Sequence, residues 1–275
     1  MNRPLATILL GGALWMGAAE AQGPPPGGPG GPGGGMQAGD GIWRRNAVYG
    51  EIQTLDTCFG HQPGSGEYHY HANPVCLRAQ LDDNIEVIST KRVGTTYRER
   101  PAPWKHSPLL GWAVDGYPIY GPYGYADAAN PSSSVRRIRS SFRLRSITER
   151  NALPTWSLAS HTGVSTTLTD SQRGPAITPE FPLGRYVEDF EYLSSFGDLD
   201  QYNGRFGLTP EFPQGTYAYF ITIEADGTPA FPYLVGDQYY GAASGGRAPT
   251  IPSAALTFLA NGTSNSSAAA TPSLV

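Results

Sequence analysis

The segment Tyr217–Ile223 reads YAYFITI, a run of aromatic, β-branched and small residues that follows Gly215. Aromatic and β-branched residues favour β-strands, in which successive side chains point to opposite faces. Shorter runs of the same kind occur at Glu86–Ile88, Tyr117–Tyr120 and Tyr186–Tyr192, separated by glycine and proline. Recurrent short strands between turn residues predict a mainly β protein.

The composition supports the same fold class. The chain contains 35 glycines and 25 prolines among 275 residues, and only 15% of its residues are charged. Typical globular domains carry roughly 25% charged residues and about 12% glycine plus proline, so helical bundles and coiled coils are excluded. We expect a single domain of short antiparallel strands, arranged like a sandwich or a barrel, with long loops and at most one or two short helices.

The charge distribution gives little support for a polyanionic partner. The net charge of -4 disfavours nucleic-acid binding, which needs many lysines and arginines on one face. The basic cluster from Arg136 to Arg150 is expected to pair with acidic residues of the segment Glu180–Asp200 and to form a solvated face. We therefore expect no nucleic-acid partner, and the sequence does not define a ligand in the cell envelope.

One segment, 132–147, supports two different secondary structures. Val135, Ile138 and Phe142 follow the i, i+3, i+7 spacing of an amphipathic helix. At period two, the same segment places Ile138, Phe142 and Leu144 on one face of a strand, with arginines on the other. Both interpretations remain open at the level of sequence.

Both ends of the chain differ in composition from its middle. Residues 1–21 have the positive start, the apolar run and the A-x-A cleavage site of an export signal, with cleavage predicted after Ala21. The apolar run is shorter than the roughly 20 residues that span a bilayer, so we expect a periplasmic or secreted protein without a transmembrane anchor after cleavage. Residues 22–41 predict a disordered Pro/Gly spacer and residues 242–275 a low-complexity tail, which leaves a folded domain over 42–241.

A weak internal repeat helps to distinguish residues that build the fold from residues that carry the function. The segments 55–71 and 199–220 both read L-D-x-x-x-G, then a turn with proline or glycine, then G-x-Y-x-Y. Because both copies share the Tyr-x-Tyr alternation, we interpret it as architectural. Histidines occur only in the first copy, so they mark the functional difference between the two.

The tetrapeptide YHYH at 68–71 carries the strongest chemical signal. In a strand, His69 and His71 share one face, and their Cα atoms stand about 6.5–7 Å apart. Two imidazoles at this spacing can bind one metal ion at about 2.0–2.1 Å. The remaining ligands are predicted to be His61 and His106. Imidazole ligands without thiolates or many carboxylates suit copper or zinc better than calcium or magnesium.

Carboxylates and tyrosines near these histidines are further candidates. Asp56 and Asp115 could act as ligands or as acceptors that fix the imidazole tautomer, with Tyr68 and Tyr70 beside them. Asp115-Gly116 is also a good turn dipeptide, so a hairpin apex is an equally open interpretation. The sequence contains none of the phosphate-binding or dinucleotide-binding motifs, so no nucleotide or organic cofactor is indicated.

The two cysteines frame the histidine segment. In an oxidising compartment, Cys58 and Cys76 are expected to form a disulfide, which would stabilise the fold by about 3 kcal/mol in the chain-entropy model. The loop that they close contains His61, His69 and His71. A thiolate nucleophile or a cysteine-ligated metal is the competing interpretation.

Taken together, these motifs resemble the YHYH domain family of exported proteins. The resemblance implies an extracytoplasmic domain with a histidine site, but it does not imply a reaction. It also implies histidine in the second G-x-Y-x-Y segment, where this chain has Ala218 and Phe220 instead. The motifs that carry the resemblance are Cys58-x-x-His61, Tyr68-His69-Tyr70-His71, Pro74-x-Cys76 and Asp115-Gly116-x-Pro118-Ile119-Tyr120-Gly121.

Three functions remain open, and a copper or zinc site is the leading one. The second is a non-catalytic extracellular module that binds glycan or peptide through tyrosine and tryptophan surfaces. The third is a hydrolase-like enzyme with His106 or His69 as base and Asp115 as its orienting partner, although no nucleophile is identifiable. The tryptophans of the second hypothesis are Trp104, Trp112 and Trp156.

Overall fold

A computed structural model of the chain describes residues 40–62, 68–91 and 94–243. All of these residues fall in one compact unit, Met1–Ala243, and a second unit, Ser244–Val275, contains no described residue. The export signal, most of the spacer and nearly all of the tail lie outside the described residues, so these three assignments stay predictions. Among the described residues, no helix combines the length and the apolar character needed to cross a bilayer.

The described chain is mainly β, as the sequence predicts. Its regular structure is limited to short elements, and the described strands form no closed barrel. The helices are α1 (Ala47–Glu51), α2 (Val75–Gln80) and three 3-10 helices at Thr155–Ser160, Asp170–Gln172 and Val187–Asp189. The strands are β1 (Gly60–His61), β2 (His69–Tyr70), β3 (Ile85–Lys91), β4 (Gly94–Glu99), β5 (Leu109–Trp112), β6 (Pro118–Tyr120), β7 (Tyr123–Tyr125), β8 (Val135–Arg137), β9 (Phe142–Leu144), β10 (Phe190–Tyr192), β11 (Gly204–Gly207) and β12 (Thr216–Phe220).

Strand β12 lies inside the largest sheet, whose order is β11-β12-β6-β5. Tyr217 and Tyr219 pack into one buried cluster, whereas Ala218 and Phe220 pack into another on the opposite face. Burial on both faces explains why this strand is apolar at successive positions. The pairing of β12 with β6 is parallel, unlike the other pairings of the sheet. The long connection between these two strands permits this geometry.

The Asp115-Gly116 dipeptide forms the apex of the β5–β6 hairpin. Gly116 has a φ of +86° and donates its backbone N–H to the carbonyl of Ala113 at 2.9 Å. The predicted turn is therefore present. The Asp115 carboxylate also accepts a hydrogen bond from the hydroxyl of Tyr219 at 2.6 Å, which ties the apex to β12.

The segment 132–147 contains strands β8 and β9, so its helical interpretation is wrong. Ile138 and Phe142 are buried, as the strand interpretation predicts. Leu144 is an exception, because 47% of its surface is exposed. It is the last residue of β9, which pairs with β10 in a two-stranded sheet.

Four arginines of the basic cluster from Arg136 to Arg150 pair with acidic residues, as the sequence predicts, but the fully buried Arg150 is not part of the expected solvated face. Both terminal nitrogens of Arg136 donate to the Asp198 carboxylate, at 2.7 and 2.8 Å. Arg150 donates to the carboxylate of Asp189 at 2.8 Å, and both side chains are fully buried. These ion pairs hold the segment against the acidic stretch that follows residue 180.

The internal repeat is present as two copies of one local structure. In the first copy, the Asp56 carboxylate accepts from the hydroxyl of Tyr68 at 2.8 Å. In the second copy, Asp200 accepts from the hydroxyl of Tyr217 at 2.9 Å. In both copies the residue three positions after the aspartate has a left-handed backbone, with φ values of +61° and +65°. The shared motif is therefore architectural.

The strand pairings show which residues of the two copies correspond to each other. In the first copy, His61 of β1 lies opposite His69 of β2. In the second copy, Arg205 of β11 lies opposite Ala218 of β12. The position that corresponds to His71 is Phe220. All three histidine positions of the first copy are thus occupied by other residue types in the second.

Candidate metal site

Strands β1 and β2 place three imidazoles on one face. His61 and His69 are opposite each other in the antiparallel pair, and His71 follows His69 by two residues. The backbone N–H of His71 donates to the carbonyl of Phe59 at 3.0 Å, which continues the pairing beyond β2. The three ring centroids lie 4.7–4.9 Å apart. The predicted placement of His69 and His71 on one face is confirmed.

The ring nitrogens of these histidines converge at His71. Its Nε2 lies 2.9 Å from Nε2 of His69 and 2.9 Å from Nε2 of His61. An imidazole Nε2 carries one proton or one lone pair, so it cannot form a hydrogen bond with each of these neighbours at once. The three histidines form a group of side chains whose ligand atoms all lie within 4.8 Å of one another. Such a group could hold a metal ion.

Glu51, at the end of α1, contributes a carboxylate to this cluster. Its Oε2 lies 3.1 Å from Nε2 of His61 and 3.1 Å from Nε2 of His71, and only 8% of its side chain is exposed. The side chain of Asn46 begins α1 by accepting from the backbone of Tyr49, so the helix is held at both ends of its single turn. Sequence reasoning missed Glu51, although it is the one acidic residue of α1.

Thr54 fixes the orientation of the His61 ring. Its Oγ1 lies 2.9 Å from Nδ1 of His61 and donates its own proton to the carbonyl of Glu51 at 2.7 Å. Because that proton is used, Oγ1 accepts from Nδ1–H, and Nε2 of His61 keeps its lone pair. A hydrogen-bond partner on the far nitrogen is the usual support of a metal-binding histidine. The sequence analysis did not identify Thr54.

The environment of His71 keeps this residue in the form that binds metals. Burial, together with the neighbouring imidazoles of His69 and His61, lowers the pKa of His71 to about 4. The imidazole of His71 is therefore neutral at pH 7. A neutral imidazole offers its lone pair to a metal ion, whereas a protonated one does not.

The disulfide links the histidine strands to α2. Cys58 lies just before β1, Cys76 lies in α2, and the two are joined as predicted. Because both cysteines of the chain are used in this bond, neither is a thiolate nucleophile or a thiolate metal ligand. Closure of this loop stabilises the arrangement in which β1 and β2 lie beside α2.

The other predicted residues of the first repeat have structural contacts. The Asp56 carboxylate accepts from the backbone N–H groups of Cys58 and Gly60, at 2.8 and 3.2 Å, in addition to the Tyr68 hydroxyl. The rings of Tyr68 and Tyr70 meet edge to face at a centroid distance of 5.4 Å. These contacts shape the turn and the outer face of β2.

The structure does not bring His106 or Asp115 to the three histidines. Nδ1 of His106 lies 2.8 Å from the carbonyl oxygen of Ser107, and its ring contacts Tyr120 and Tyr125. Asp115 accepts from Tyr219 and from a backbone N–H near the end of the described chain. Among the described residues no hydrogen bond joins His106 to Asp115, so the version of the enzyme hypothesis in which His106 is the base lacks its pair.

The three predicted tryptophans have different environments. Trp104 and Trp112 are 61% and 55% exposed. Trp156 instead donates its indole N–H to the carbonyl of Phe190 at 3.0 Å and packs edge to face on Phe142. Only the first two present much of their surface to a ligand.

Comparisons with known proteins give one match. Searches of curated proteins and of solved structures found no similar protein. The family model described as YHYH protein matches residues 11–232, which is most of the chain. This range includes the tetrapeptide at 68–71, both cysteines and the second repeat. The chain therefore belongs to the YHYH protein family.

Proposed function

We propose that the protein binds a transition-metal ion, copper or zinc, through Nε2 of His61, His69 and His71. One observation carries this proposal: Nε2 of His71 has three neighbouring ligand atoms at 2.9, 2.9 and 3.1 Å. A single nitrogen cannot satisfy three such neighbours by hydrogen bonds. A cation among them resolves the conflict, because two nitrogens 2.9 Å apart can both lie about 2.0–2.1 Å from one ion.

Glu51 completes the donor set. Its carboxylate supplies a negative charge that contacts the imidazoles of His61 and His71. Three imidazoles and one carboxylate suit copper(II) or zinc, whereas calcium and magnesium prefer sets made of oxygen atoms. Thr54 orients His61 through the far ring nitrogen. The described residues thus offer four donor groups, and Thr54 orients one of them, the imidazole of His61.

The proposed location follows from the disulfide. Bonds such as Cys58–Cys76 persist in oxidising compartments and are rare in the cytosol. We propose that the protein is exported and that its site handles metal in the periplasm or outside the cell.

The test is the metal content of protein purified from the compartment into which the cell exports it. Copper and zinc are measured by mass spectrometry in the wild-type protein and in the His69→Ala/His71→Ala variant. We expect one ion per chain in the wild type and a negligible amount in the variant, because two of the three imidazole donors are absent.

A matched control variant distinguishes the loss of metal ligands from a disruption of strand β2. Tyr70→Ala removes a large side chain from the opposite face of the same strand and should retain the metal. Circular dichroism establishes that each variant is folded. Equal metal content in the wild type and the double-alanine variant, or none in either after exposure to both metals, would end the proposal.

A further inference from the structure

The second repeat carries different side chains at the positions that correspond to the histidine cluster. Arg205, Ala218 and Phe220 occupy the positions of His61, His69 and His71 in the paired strands. The Arg205 guanidinium lies over the Phe220 ring, 5.3 Å from its centroid. None of these side chains is a usual metal ligand, and the Phe220 ring lies beside that of His106.

His106 is held there with one nitrogen free for a ligand. Its ring lies 6.0 Å from that of Phe220 and 4.9 Å from that of Tyr125. Because Nδ1 lies 2.8 Å from the carbonyl oxygen of Ser107, it must carry the proton that it donates. Nε2 therefore keeps its lone pair. The residue is 7% exposed, and no described residue donates a hydrogen bond to Nε2.

A cavity of about 600 Å³ opens in front of His106. Its lining includes the aromatic rings of Trp104 and Tyr125, three prolines, and the charged side chains of Lys105 and Glu211. This mixture of flat apolar surfaces and a few polar groups is typical of small-molecule sites. The volume is large enough for one or two sugar rings, since binding pockets of roughly 300–1,000 Å³ hold ligands of that size.

The polar groups of the cavity favour a ligand that donates hydrogen bonds. Oε2 of Glu211 accepts from the hydroxyl of Tyr120 at 2.8 Å, and among the described residues no donor reaches its other oxygen. That oxygen and Nε2 of His106 are both acceptors. Both residues line the cavity, so a ligand that supplies hydroxyl protons can donate to these acceptors.

The surrounding charges select a neutral ligand. Lys105 pairs with Asp82 at 2.6 Å, and Arg205 donates to the carbonyl of Tyr125 at 2.7 Å. These two cations oppose the binding of a positively charged ligand. The carboxylate of Glu211 opposes an anion in the same way. A molecule with hydroxyl groups and no net charge avoids both penalties.

We propose that this cavity binds a saccharide, with Glu211 and His106 accepting hydrogen bonds from its hydroxyl groups. The C–H face of the sugar ring packs on the aromatic and proline surfaces, beginning with Trp104. This site is separate from the metal site and uses none of its residues. The protein would then combine a metal site in the first repeat with a carbohydrate site in the cavity beside His106, to which the second repeat contributes Pro210 and Glu211.

Isothermal titration calorimetry of the full chain with soluble hexasaccharides of glucose, mannose and N-acetylglucosamine tests the proposal. We expect saturable binding of at least one of them. Glu211→Gln and Trp104→Ala should each weaken that binding about tenfold, as expected for central contact residues. Trp112→Ala is the matched control, because Trp112 is a similarly exposed tryptophan that does not line the cavity.

The metal site and the saccharide site are tested independently of each other. Binding should be unchanged in the presence of a chelator and in the His69→Ala/His71→Ala variant. The proposal is overturned if none of the hexasaccharides binds. It is also overturned if Trp112→Ala weakens binding as much as Trp104→Ala, or if Trp104→Ala and Glu211→Gln both bind like the wild type.

Discussion

Oε2 of Glu51 lies 3.1 Å from Nε2 of His71, although Glu51 ends α1 and His71 directly follows β2. The same nitrogen has imidazole neighbours on its other sides. A carboxylate beside three imidazoles supplies the negative charge that a divalent cation requires. The site is therefore a product of tertiary structure, since the tetrapeptide at 68–71 supplies only two of its donors.

Glu51→Gln should weaken metal binding. The amide keeps the shape of the side chain but removes its charge, so we expect the affinity for zinc and copper to fall by about 10- to 100-fold. Competition with a chromophoric chelator measures the change. Glu86→Gln, in an exposed ion pair on β3, is the control. Unchanged affinity in Glu51→Gln would remove Glu51 from the donor set.

Thr54→Val should have a similar but indirect effect. Valine fills the same space but cannot accept the proton on Nδ1 of His61, so the ring loses its fixed tautomer. We expect about a 10-fold loss of metal affinity. Thr54→Ser keeps the hydroxyl and should restore the wild-type value. Equal affinities in the valine and serine variants would argue against a role in orienting the ring.

His106→Gln distinguishes the ligand set predicted from the sequence, which includes His106, from the set in the structure, which does not. The sequence predicts His106 as a ligand, whereas the structure places its ring against Tyr120 and Tyr125. We expect His106→Gln to bind one ion with unchanged affinity and His61→Gln to lose most of its metal affinity. Both values come from the same chelator competition. Loss of metal in His106→Gln, in a protein that is still folded, would show that His106 is a metal ligand, as the sequence predicts.

Gly204 should not tolerate an extra methyl group. A Cβ at Gly204 would overlap the ring and the hydroxyl of Tyr217. Because Tyr217 is only 3% exposed, it cannot move towards solvent. Gly204→Ala should therefore cost about 1–3 kcal/mol. Urea unfolding measures the loss, and an unchanged stability would contradict this account.

Asp198 should make stability depend on pH in the acid range. Burial alone would raise the pKa of Asp198, but hydrogen bonds from Arg136 and from the backbone of Arg139 hold it below its ordinary value. Its contribution is present above the unfolded-state pKa of about 3.9 and is lost as the pH falls through the folded-state pKa.

Asp198→Asn is therefore expected to lower stability by about 1–2 kcal/mol at pH 7 and to reduce the slope of stability against pH below about 4. Urea unfolding at several pH values measures both effects. An unchanged slope in the variant would show that other carboxylates carry the acid dependence.

Local patterns explain what the sequence could predict. The alternation at Tyr217–Phe220 and the repeat at 55–71 involve neighbours in the chain, and strand geometry alone places His69 and His71 on one face. The disulfide followed from two cysteines in one short segment. The choice between helix and strand at 132–147 was open, because a segment of that length fits both periods.

Long-range contacts explain what the sequence could not predict. Glu51 and Thr54 reach His61 only because the turn at Asp56 folds the chain back onto itself. His106 has the right chemistry for a ligand, but its place beside Tyr120 depends on packing between distant strands. Residue type therefore identified candidates, and tertiary structure decided which of them meet.

X-ray absorption spectroscopy of the full chain loaded with one equivalent of zinc or copper tests the central claim most directly. The account predicts scattering from about three imidazoles and one further oxygen, with metal–ligand distances of about 2.0–2.1 Å. The imidazole signal should fall in His69→Ala/His71→Ala protein. A spectrum with oxygen ligands alone and no imidazole scattering, or an unchanged imidazole signal in that variant, would contradict the account.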